Sequence, residues 1–146
     1  MVRQDPSKEG ILYAGTETGR YVSFNDGGTW EPFQLNLPIV PITDLAVKDN
    51  SLIVATQGRS IWMIDDLTVV HQLEEASKAK SIFLYKPRDS YRTKGRKGKE
   101  SKLSGTNRDN GVVTYFNLPE YDKEKDSVYL TFLSTAGDTL ATFFNK

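Results

Sequence analysis

The strongest constraint on the fold of this chain is an internal repeat with a spacing of forty residues. The segment LYAGTETGRYVSFND (12–26) aligns without a gap on LIVATQGRSIWMIDD (52–66). Matched positions include Leu12 with Leu52, Ala14 with Val54, Thr16 with Thr56, Tyr21 with Ile61 and Asp26 with Asp66. Few positions are identical, but apolar character recurs through both segments and both end in a polar pair, which indicates one structural unit built twice.

Each copy of the repeat has the composition of a β-hairpin. ILYAGT (11–16) and RYVSF (20–24) are short runs rich in aromatic and β-branched residues, which is typical of strands. The connection ETG places Gly19 where a tight hairpin needs positive φ. The next candidate strand is TWEPFQL (29–35), and its Pro32 indicates an outer or edge strand, because proline lacks the N–H that a ladder requires.

Four further strand candidates follow the connection NLPIVP, namely ITDLAV (42–47), SLIVAT (51–56), SIWMI (60–64) and TVVHQL (68–73). A helix of one or two turns is expected within 71–83. A period of about forty residues made of short antiparallel strands is typical of propeller blades, which are four-stranded sheets stacked on their neighbours. The repeat predicts one whole blade over 42–73 and the last three strands of a preceding blade over 11–35, with 1–10 left to supply its inner strand.

The segment SFNDGGTW (Ser23–Trp30) resembles the Asp-box, Ser/Thr-x-Asp-x-Gly-x-Thr-Trp, with Asn25 where the motif has Asp. The surrounding sequences LYAGTETGRYVSFNDGGTWEPFQLNLP and LIVATQGRSIWMIDDLTVVHQL are similar to the closing blades of BNR-repeat and sortilin-type propellers. Such blades occur in large secreted bacterial proteins that are often labelled glycosyl-hydrolase-like. The resemblance covers residues 5–75, and it implies that the Asp-box is a folding device placed away from any catalytic face.

The residue types of this segment fit a structural turn. A short side-chain acceptor ties down backbone N–H groups, the glycines adopt positive φ, and Trp30 is expected to pack back onto the sheet. Asn25 keeps an acceptor oxygen but lacks the charge of aspartate, which disfavours the alternative of a cation or substrate site, since calcium takes about six to eight oxygen ligands. The predicted turn residues are Ser23, Asn25, Asp26, Gly27, Gly28, Thr29 and Trp30.

The second half continues the resemblance with a different fold. SIFLYKPRDSYR (81–92) resembles the connection by which such proteins leave the propeller, and the residues after it resemble the opening strands of an immunoglobulin-like sandwich of the flagellar hook-capping type. Strands are expected over Val112–Leu118, Ser127–Ser134 and Thr139–Phe144, with a hairpin at Ala136–Asp138. A complete sandwich needs about 100 residues, so the chain is expected to be a fragment.

The predicted fold class is therefore all-β, with propeller-blade-type antiparallel sheets and a partial immunoglobulin-like β-sandwich. The predicted parts are a partial propeller region (1–75), a connector (76–110) whose basic segment 93–110 is expected to be flexible, and the start of a sandwich domain (111–146). The chain has 19 basic and 19 acidic residues and no net charge, so it has no overall attraction to nucleic acid or anionic membrane. The basic run 92–102 lacks interleaved aromatics, which favours a solvated linker over a nucleic-acid site.

Arg59, in the hairpin loop QGRS, is the one candidate for a ligand contact. Its guanidinium could bind a carboxylate or phosphate through two hydrogen bonds, or it could pair with Asp65 or Asp66. Adjacent strand residues face opposite ways, so these two aspartates cannot act together as acid and base. They are interpreted as turn groups placed opposite Asn25–Asp26 by the repeat.

The remaining composition narrows the chemistry. The absence of cysteine excludes disulfides and thiolate sites, and the single histidine, His71, excludes a two-histidine metal site. A Ser-His-Asp arrangement would depend on that one residue and is disfavoured. No catalytic residue, metal site or cofactor is predicted. The start of the chain is polar without an apolar signal core, and no run approaches membrane-spanning length.

The sequence thus predicts a non-catalytic structural or interaction fragment of a BNR-repeat propeller protein. Its expected partners are the rest of the parent propeller and a second copy of the fragment through exposed strand edges, and not nucleic acid. The expected location is extracellular, periplasmic or at the cell surface, with the signal outside this chain. The alternative is part of a sialidase-like glycoside hydrolase whose catalytic residues lie elsewhere. The resemblance implies an arginine trio, a Tyr–Glu nucleophile pair and a general acid for that activity, and Glu17 and Tyr21 merely share a hairpin.

Overall fold

The computed structural model describes residues 1–91, 111–122 and 124–144, which are mostly β and contain antiparallel sheets. The first sheet has the strand order β1-β2-β3-β4. Its strands are β1 (Val2–Gln4), β2 (Leu12–Thr16), β3 (Gly19–Ser23) and β4 (Glu31–Pro32). The segment 1–10 therefore supplies an additional edge strand, and the three strands expected over 11–35 become a four-stranded meander.

The second sheet has three strands in the order β5-β6-β7. They are β5 (Ile42–Lys48), β6 (Ser51–Thr56) and β7 (Ile61–Ile64). The expectation of a fourth strand over 68–73 is wrong, because a 3₁₀ turn (Val70–Gln72) leads directly into the helix α1 (Leu73–Lys78). The short helix expected within 71–83 is confirmed.

Tertiary contacts explain why TVVHQL is helical despite its β-branched residues. The helical turn buries Val70 in the core, and its first bond runs from the His71 amide to the Leu67 carbonyl at 2.9 Å. The Gln72 side chain bridges to the Lys86 backbone, donating to its oxygen at 3.1 Å and accepting from its amide at 2.9 Å. Strand propensity depends strongly on such packing context, and here packing favours the helix.

The hydrophobic core lies between the two sheets. It contains Ile11, Tyr13, Val22, Leu37, Val40, Ile42, Leu45, Leu52, Val54, Leu67 and Val70. Gly15 marks the closest approach, since a Cβ at this position would lie 2.5 Å from Cγ2 of Ile42. The absence of a side chain lets β2 and β5 pack closely. Arg3 also crosses between the sheets, donating from Nε to the Leu45 carbonyl at 3.0 Å.

The two sheets bury opposite faces of the repeated hairpin. Residues paired across neighbouring strands form rows on one face. One row of the first sheet consists of Val2, Ala14 and Tyr21. The matching row of the second sheet consists of Leu45, Val54 and Trp62. Leu45 and Val54 are buried between the sheets, whereas Val2 lies on the outer face and is exposed.

The alternate rows reverse this relation. In the first sheet the row is Arg3, Tyr13 and Val22. In the second sheet the matching row is Ala46, Ile53 and Met63. Tyr13 and Val22 are buried, whereas Ala46 and Met63 are exposed. The second sheet thus packs on the first in a head-to-tail manner. The face of the first sheet that points to the core corresponds, in the repeat, to the outer face of the second sheet.

The second half forms two small ladders. The strand β8 (Phe83–Leu84) pairs with β9 (Phe116–Asn117), and β10 (Tyr129–Leu133) pairs with β11 (Thr139–Phe144). The hairpin expected over 127–144 is confirmed, and its turn closes with Ser134 N donating to Asp138 O at 2.7 Å. The strand expected over 112–118 is shorter, because only two residues of it pair with the connector. The expected flexible segment 93–110 lies outside the described residues.

No helix in the described ranges is long and apolar enough to cross a bilayer.

Candidate functional site

The turn between β3 and β4 is held by side-chain hydrogen bonds that stay within the turn. Ser23 Oγ accepts from the Gly27 amide at 2.9 Å, and Asn25 Oδ1 accepts from the Thr29 amide at 2.8 Å. Asn25 Nδ2 donates to Thr29 Oγ1 at 2.9 Å, and Ser23 Oγ donates to Asn25 Oδ1 at 3.0 Å. The Asn25 side chain is therefore engaged at both its oxygen and its nitrogen, as a structural turn requires.

The backbone of this turn differs from the sequence expectation at one glycine. Positive φ occurs at Asp26 (58°) and Gly27 (90°), and not at Gly28. The prediction that both glycines adopt positive φ is thus wrong. Gly28 is small for a steric reason, because a Cβ there would lie 3.2 Å from Nδ2 of Asn25.

The ring of Trp30 lies beside the turn that precedes it and is partly exposed. Its residue surface is 38% exposed, and it is outside the core cluster. Its ring atom Cζ2 lies 3.8 Å from the position that a Cβ of Gly27 would occupy, so the ring covers its own turn. The packing of Trp30 back onto the sheet stays a prediction, and the hydrogen bonds of Ser23 and Asn25 hold this corner.

The second hairpin is one residue longer than the first, which shifts the repeat. Thr16 pairs with Gly19 across a two-residue loop. In the second sheet the Thr56 amide donates to the Ser60 carbonyl at 3.2 Å, which leaves the three residues 57–59 in the loop. The gap-free alignment is therefore wrong beyond the hairpin, where equivalent residues lie forty-one positions apart.

This shift changes the partner of Asn25 from Asp65 to Asp66. The backbone supports it, since Asp26 N donates to Gly10 O at 2.9 Å and Leu67 N donates to Asn50 O at 2.9 Å. The side chains of the two corners also act alike. Asp66 Oδ1 accepts from the amide of Thr68 at 2.9 Å and from Asn50 Nδ2 at 2.8 Å, so it holds its corner as Asn25 holds the first.

Arg59 lies on the β6–β7 loop, at the hairpin end of the second sheet. Its amide donates to Thr56 Oγ1 at 3.2 Å, and its carbonyl accepts from Trp62 Nε1 at 2.8 Å. Within the described ranges no carboxylate lies within 4.0 Å of its guanidinium, so the predicted pairing with Asp65 or Asp66 is not formed. The turn between β3 and β4 lies at the opposite end of the equivalent hairpin, and the two predicted sites are not brought together.

A buried polar cluster, Asp5 with Tyr13 and His71, is the feature that sequence reasoning missed. Asp5 Oδ2 accepts from the Tyr13 hydroxyl at 2.9 Å and lies 2.7 Å from His71 Nε2. Its Oδ1 accepts from the amides of Ser7 at 2.8 Å and Lys8 at 3.2 Å. The sequence DPS marks a local turn, but no local signal links Asp5 to a histidine 66 positions later.

The electrostatics of this cluster favour an ionised aspartate. Burial raises the pKa of Asp5, but hydrogen bonds from His71, the Ser7 amide and Tyr13 outweigh it and hold the pKa below its ordinary value of 3.8. Burial and the neighbouring Asp5 charge raise the pKa of the Tyr13 hydroxyl. Tyr13 therefore stays protonated and acts as a donor.

The aspartate–histidine pair resembles two members of a nucleophile triad, but the described residues supply no third member. In a triad the ring nitrogen away from the aspartate contacts a serine or threonine hydroxyl. Among the described residues no hydroxyl bonds His71. The cluster instead fastens the β1–β2 connection to the helical segment that follows the second sheet, which is a structural role.

Arg20 is a second buried charge that the sequence did not reveal. The residue is 4% exposed, and its Nε donates to the Phe33 carbonyl while Nη2 donates to the Gln34 carbonyl at 3.4 Å. Its guanidinium carbon lies 5.1 Å from the centroid of the Phe33 ring, a cation–π arrangement. Burial lowers its pKa. These contacts hold the two residues that follow β4 against β3.

No group of three or more histidine, aspartate or glutamate side chains in the described part of the chain is placed to hold a metal ion. No known protein family, curated protein or solved structure matches the chain in sequence or structure comparisons.

Proposed function

We propose that this chain is a non-catalytic structural and interaction element, two consecutive propeller-type blades followed by the start of an immunoglobulin-like sandwich. The parent would be a BNR-repeat propeller protein that acts outside the cell, in the periplasm or at the cell surface. The observation that carries the proposal is the head-to-tail stacking of the two sheets.

Head-to-tail stacking supports a blade function because it can be repeated. A contact between two different faces leaves one copy of each face free, so a further unit can join at either end. Propeller blades use this relation around a ring. A simple two-layer sandwich would instead bury both inner faces and leave two polar outer faces.

The side-chain chemistry supports a structural role as well. The buried polar groups Asp5, Tyr13 and Arg20 are all bonded to other groups of the fold, and Asn25 and Asp66 hold corners. Within the described residues no buried side-chain nitrogen or oxygen lacks a hydrogen-bond partner. A catalytic site normally keeps a reactive group directed at a cleft.

A hydrolase assay tests this proposal. The purified chain should give no turnover of a fluorogenic sialoside or of aryl glycosides above the buffer rate. The variants His71→Gln and Arg59→Ala serve as controls, since they alter the two residues closest to a catalytic or ligand-binding role. Turnover by the wild-type chain that either variant abolishes would contradict a non-catalytic function and support the sialidase-like alternative.

A further inference from the structure

We propose that the outer face of the second sheet is a docking surface for a second copy of this chain, which contributes the outer face of its first sheet. The surface, called the β6–β7 patch, consists of Ala46, Ile53, Ala55, Ile61 and Met63. This inference rests on the blade function proposed above and names a partner for it.

The β6–β7 patch is apolar and open. Ile61 is 71% exposed and Met63 is 57% exposed, although both belong to a regular strand. The sequences of β6 (SLIVAT) and β7 (IWMI) are apolar on both faces rather than alternating. Continuous apolar runs of this kind are typical of strands that are covered on both sides. The inner side is covered by the core, so the patch is the side on which the described residues leave large apolar side chains exposed.

The repeat identifies what fits the patch. Its row of Ala46, Ile53 and Met63 corresponds in register to Arg3, Tyr13 and Val22 of the first sheet. Tyr13 and Val22 are already buried against the second sheet. Inside the chain, Tyr13 and Val22 are covered by the face of the second sheet that carries Leu45 and Val54. In the repeat, that covering face corresponds to the outer face of the first sheet, which carries Val2, Ala14 and Tyr21. The outer face of a first sheet therefore fits the β6–β7 patch.

The outer face of the first sheet has suitable chemistry to act as the cover. It presents Val2, which is 50% exposed, together with the partly exposed side chains of Leu12, Ala14 and Tyr21. Each chain therefore carries both halves of a contact that it has already made once internally. A second copy supplies the missing half to the β6–β7 patch by repeating a known geometry.

Small residues on the patch permit the same close approach. Ala55 is the counterpart of Gly15, the position where β2 comes closest to Ile42, and Ala46 is the counterpart of Arg3. Short side chains at both places leave room for a neighbouring sheet. Pairing through the β4 edge is less favourable, because β4 is two residues long and contains Pro32.

The contact is heterologous, and this property provides the test. Two single variants each remove one half, Ile61→Asp on the patch and Val2→Asp on the complementary face. Ile39→Asp is a matched control, because Ile39 is exposed in a loop outside both faces. Sedimentation velocity over a range of protein concentrations measures the association, and circular dichroism establishes that each variant is folded.

The wild-type chain and Ile39→Asp should associate with rising concentration into dimers and larger species. Each face variant should associate at least roughly 30-fold more weakly, because the aspartate would be buried without a partner. An equimolar mixture of Ile61→Asp and Val2→Asp should regain association but stop at a dimer, since each variant retains the half that the other lacks. Met63→Asp replaces Ile61→Asp if the latter does not fold.

Three outcomes would overturn the proposal. They are a wild-type chain that stays monomeric at every concentration, association that neither face variant weakens, and a mixture that associates no better than its components. The last result would indicate an isologous or edge-mediated contact. None of these outcomes affects the proposed function, which fails on hydrolase turnover and not on oligomeric state.

Discussion

The first seventy-eight residues and the described residues from Phe83 to Phe144 both contain antiparallel strands, but among the described residues the core cluster belongs to the first part. Its two stacked sheets bury aliphatic side chains completely, as at Leu52 and Val54. In the second part the two-stranded ladders leave large side chains such as Leu133 and Phe143 exposed. The difference shows that strand pairing alone does not make a stable unit, since an isolated two-stranded ladder is marginal in water until a face is covered.

The described residues of the second part contain an apolar groove. It has a volume of about 400 Å³ and lies between the two ladders. Its lining consists of Ile82, Leu84, Phe116, Val128, Tyr129, Leu130, Phe143 and Phe144. In the first part the equivalent space is filled by the second sheet, so the two parts differ in packing rather than in the kind of strand.

A leucine-to-alanine pair should show the largest contrast. Leu52→Ala removes a fully buried side chain and should lower the free energy of unfolding by about 3 kcal/mol, through lost burial and the cavity left behind. Leu133→Ala, at a residue that is 58% exposed, should change it by less than about 0.5 kcal/mol. Urea denaturation followed by circular dichroism measures both. Equal effects would show that the second part has a core of its own.

The contact between the two sheets can be tested at a glycine. Gly15→Val places side-chain atoms where Ile42 already lies and should cost about 1–3 kcal/mol through overpacking. Ala55→Val adds similar bulk at the counterpart position on the outer face of the second sheet and should be close to neutral at low protein concentration. Tryptophan fluorescence of a Trp30→Phe background, in which Trp62 of the second sheet is the remaining tryptophan, should give the same unfolding midpoint as circular dichroism in Gly15→Val. Trp62 then reports damage that begins in the first sheet.

The sequence predicted more of the strands than of their relations. The hairpins of 11–24 and 127–144 were predictable because composition and turn residues define them. Apolar TVVHQL was assigned to a strand, and only its contacts with the core and with Lys86 make it helical. The difference in loop length between the two hairpins was not predictable either. The one-residue insertion at 57–59 leaves the apolar pattern intact but shifts the alignment of all later residues of the repeat by one position.

The site was predictable where it is local and unpredictable where it is not. The Asn25 turn closes within a few residues, and its acceptor chemistry follows from residue types. The Asp5–His71 contact joins two segments that only the folded sheets bring together. No local signal marks Arg20 as buried, because its contacts with the Phe33 and Gln34 carbonyls form only in the folded sheet.

The buried Asp5 cluster should make the first part sensitive to acid. Asp5→Asn leaves the Tyr13 and His71 partners of the carboxylate poorly matched, and at neutral pH it should lower the free energy of unfolding by about 1–3 kcal/mol. The pKa of Asp5 is lower when folded, so its contribution is complete above the ordinary value of 3.8 and is lost as pH falls through the folded value.

The difference in stability between wild type and Asp5→Asn should therefore shrink as the pH falls below 3.8. Urea denaturation of both proteins at a series of pH values measures this difference, and other carboxylates cancel because both proteins contain them. A difference that stays constant or grows on acidification would contradict the ionised, hydrogen-bonded state of Asp5. Mutating an exposed carboxylate, as in Glu17→Gln, provides the comparison for a group outside the cluster.

The smallest expected effects concern the two corners of the first part. Asn25→Ala removes the acceptor of the Thr29 amide, and Asp66→Ala removes the acceptor of the Thr68 amide. Each should cost about 0.5–1.5 kcal/mol, the net value of a turn hydrogen bond. Asn25→Asp keeps the acceptor oxygen and should be near wild type.

Asp65→Ala is the control that decides the register of the repeat. A gap-free alignment gives Asp65 the role of Asn25, whereas the longer second hairpin gives that role to Asp66. The hydrogen bond between Asp65 and Ser51 uses the backbone carbonyl of Asp65, which alanine retains. Asp65→Ala should therefore leave the unfolding midpoint unchanged.

Ser134→Ala sharpens the comparison between the two parts, because Ser134 Oγ also accepts hydrogen bonds from turn amides, those of Ala136 at 3.2 Å and Asp138 at 3.1 Å. That turn belongs to the β10–β11 ladder, which lies outside the core cluster. Loss of the turn should therefore leave the unfolding midpoint of the two stacked sheets unchanged. A shift of that midpoint as large as the one caused by Asn25→Ala would show that the two parts unfold together.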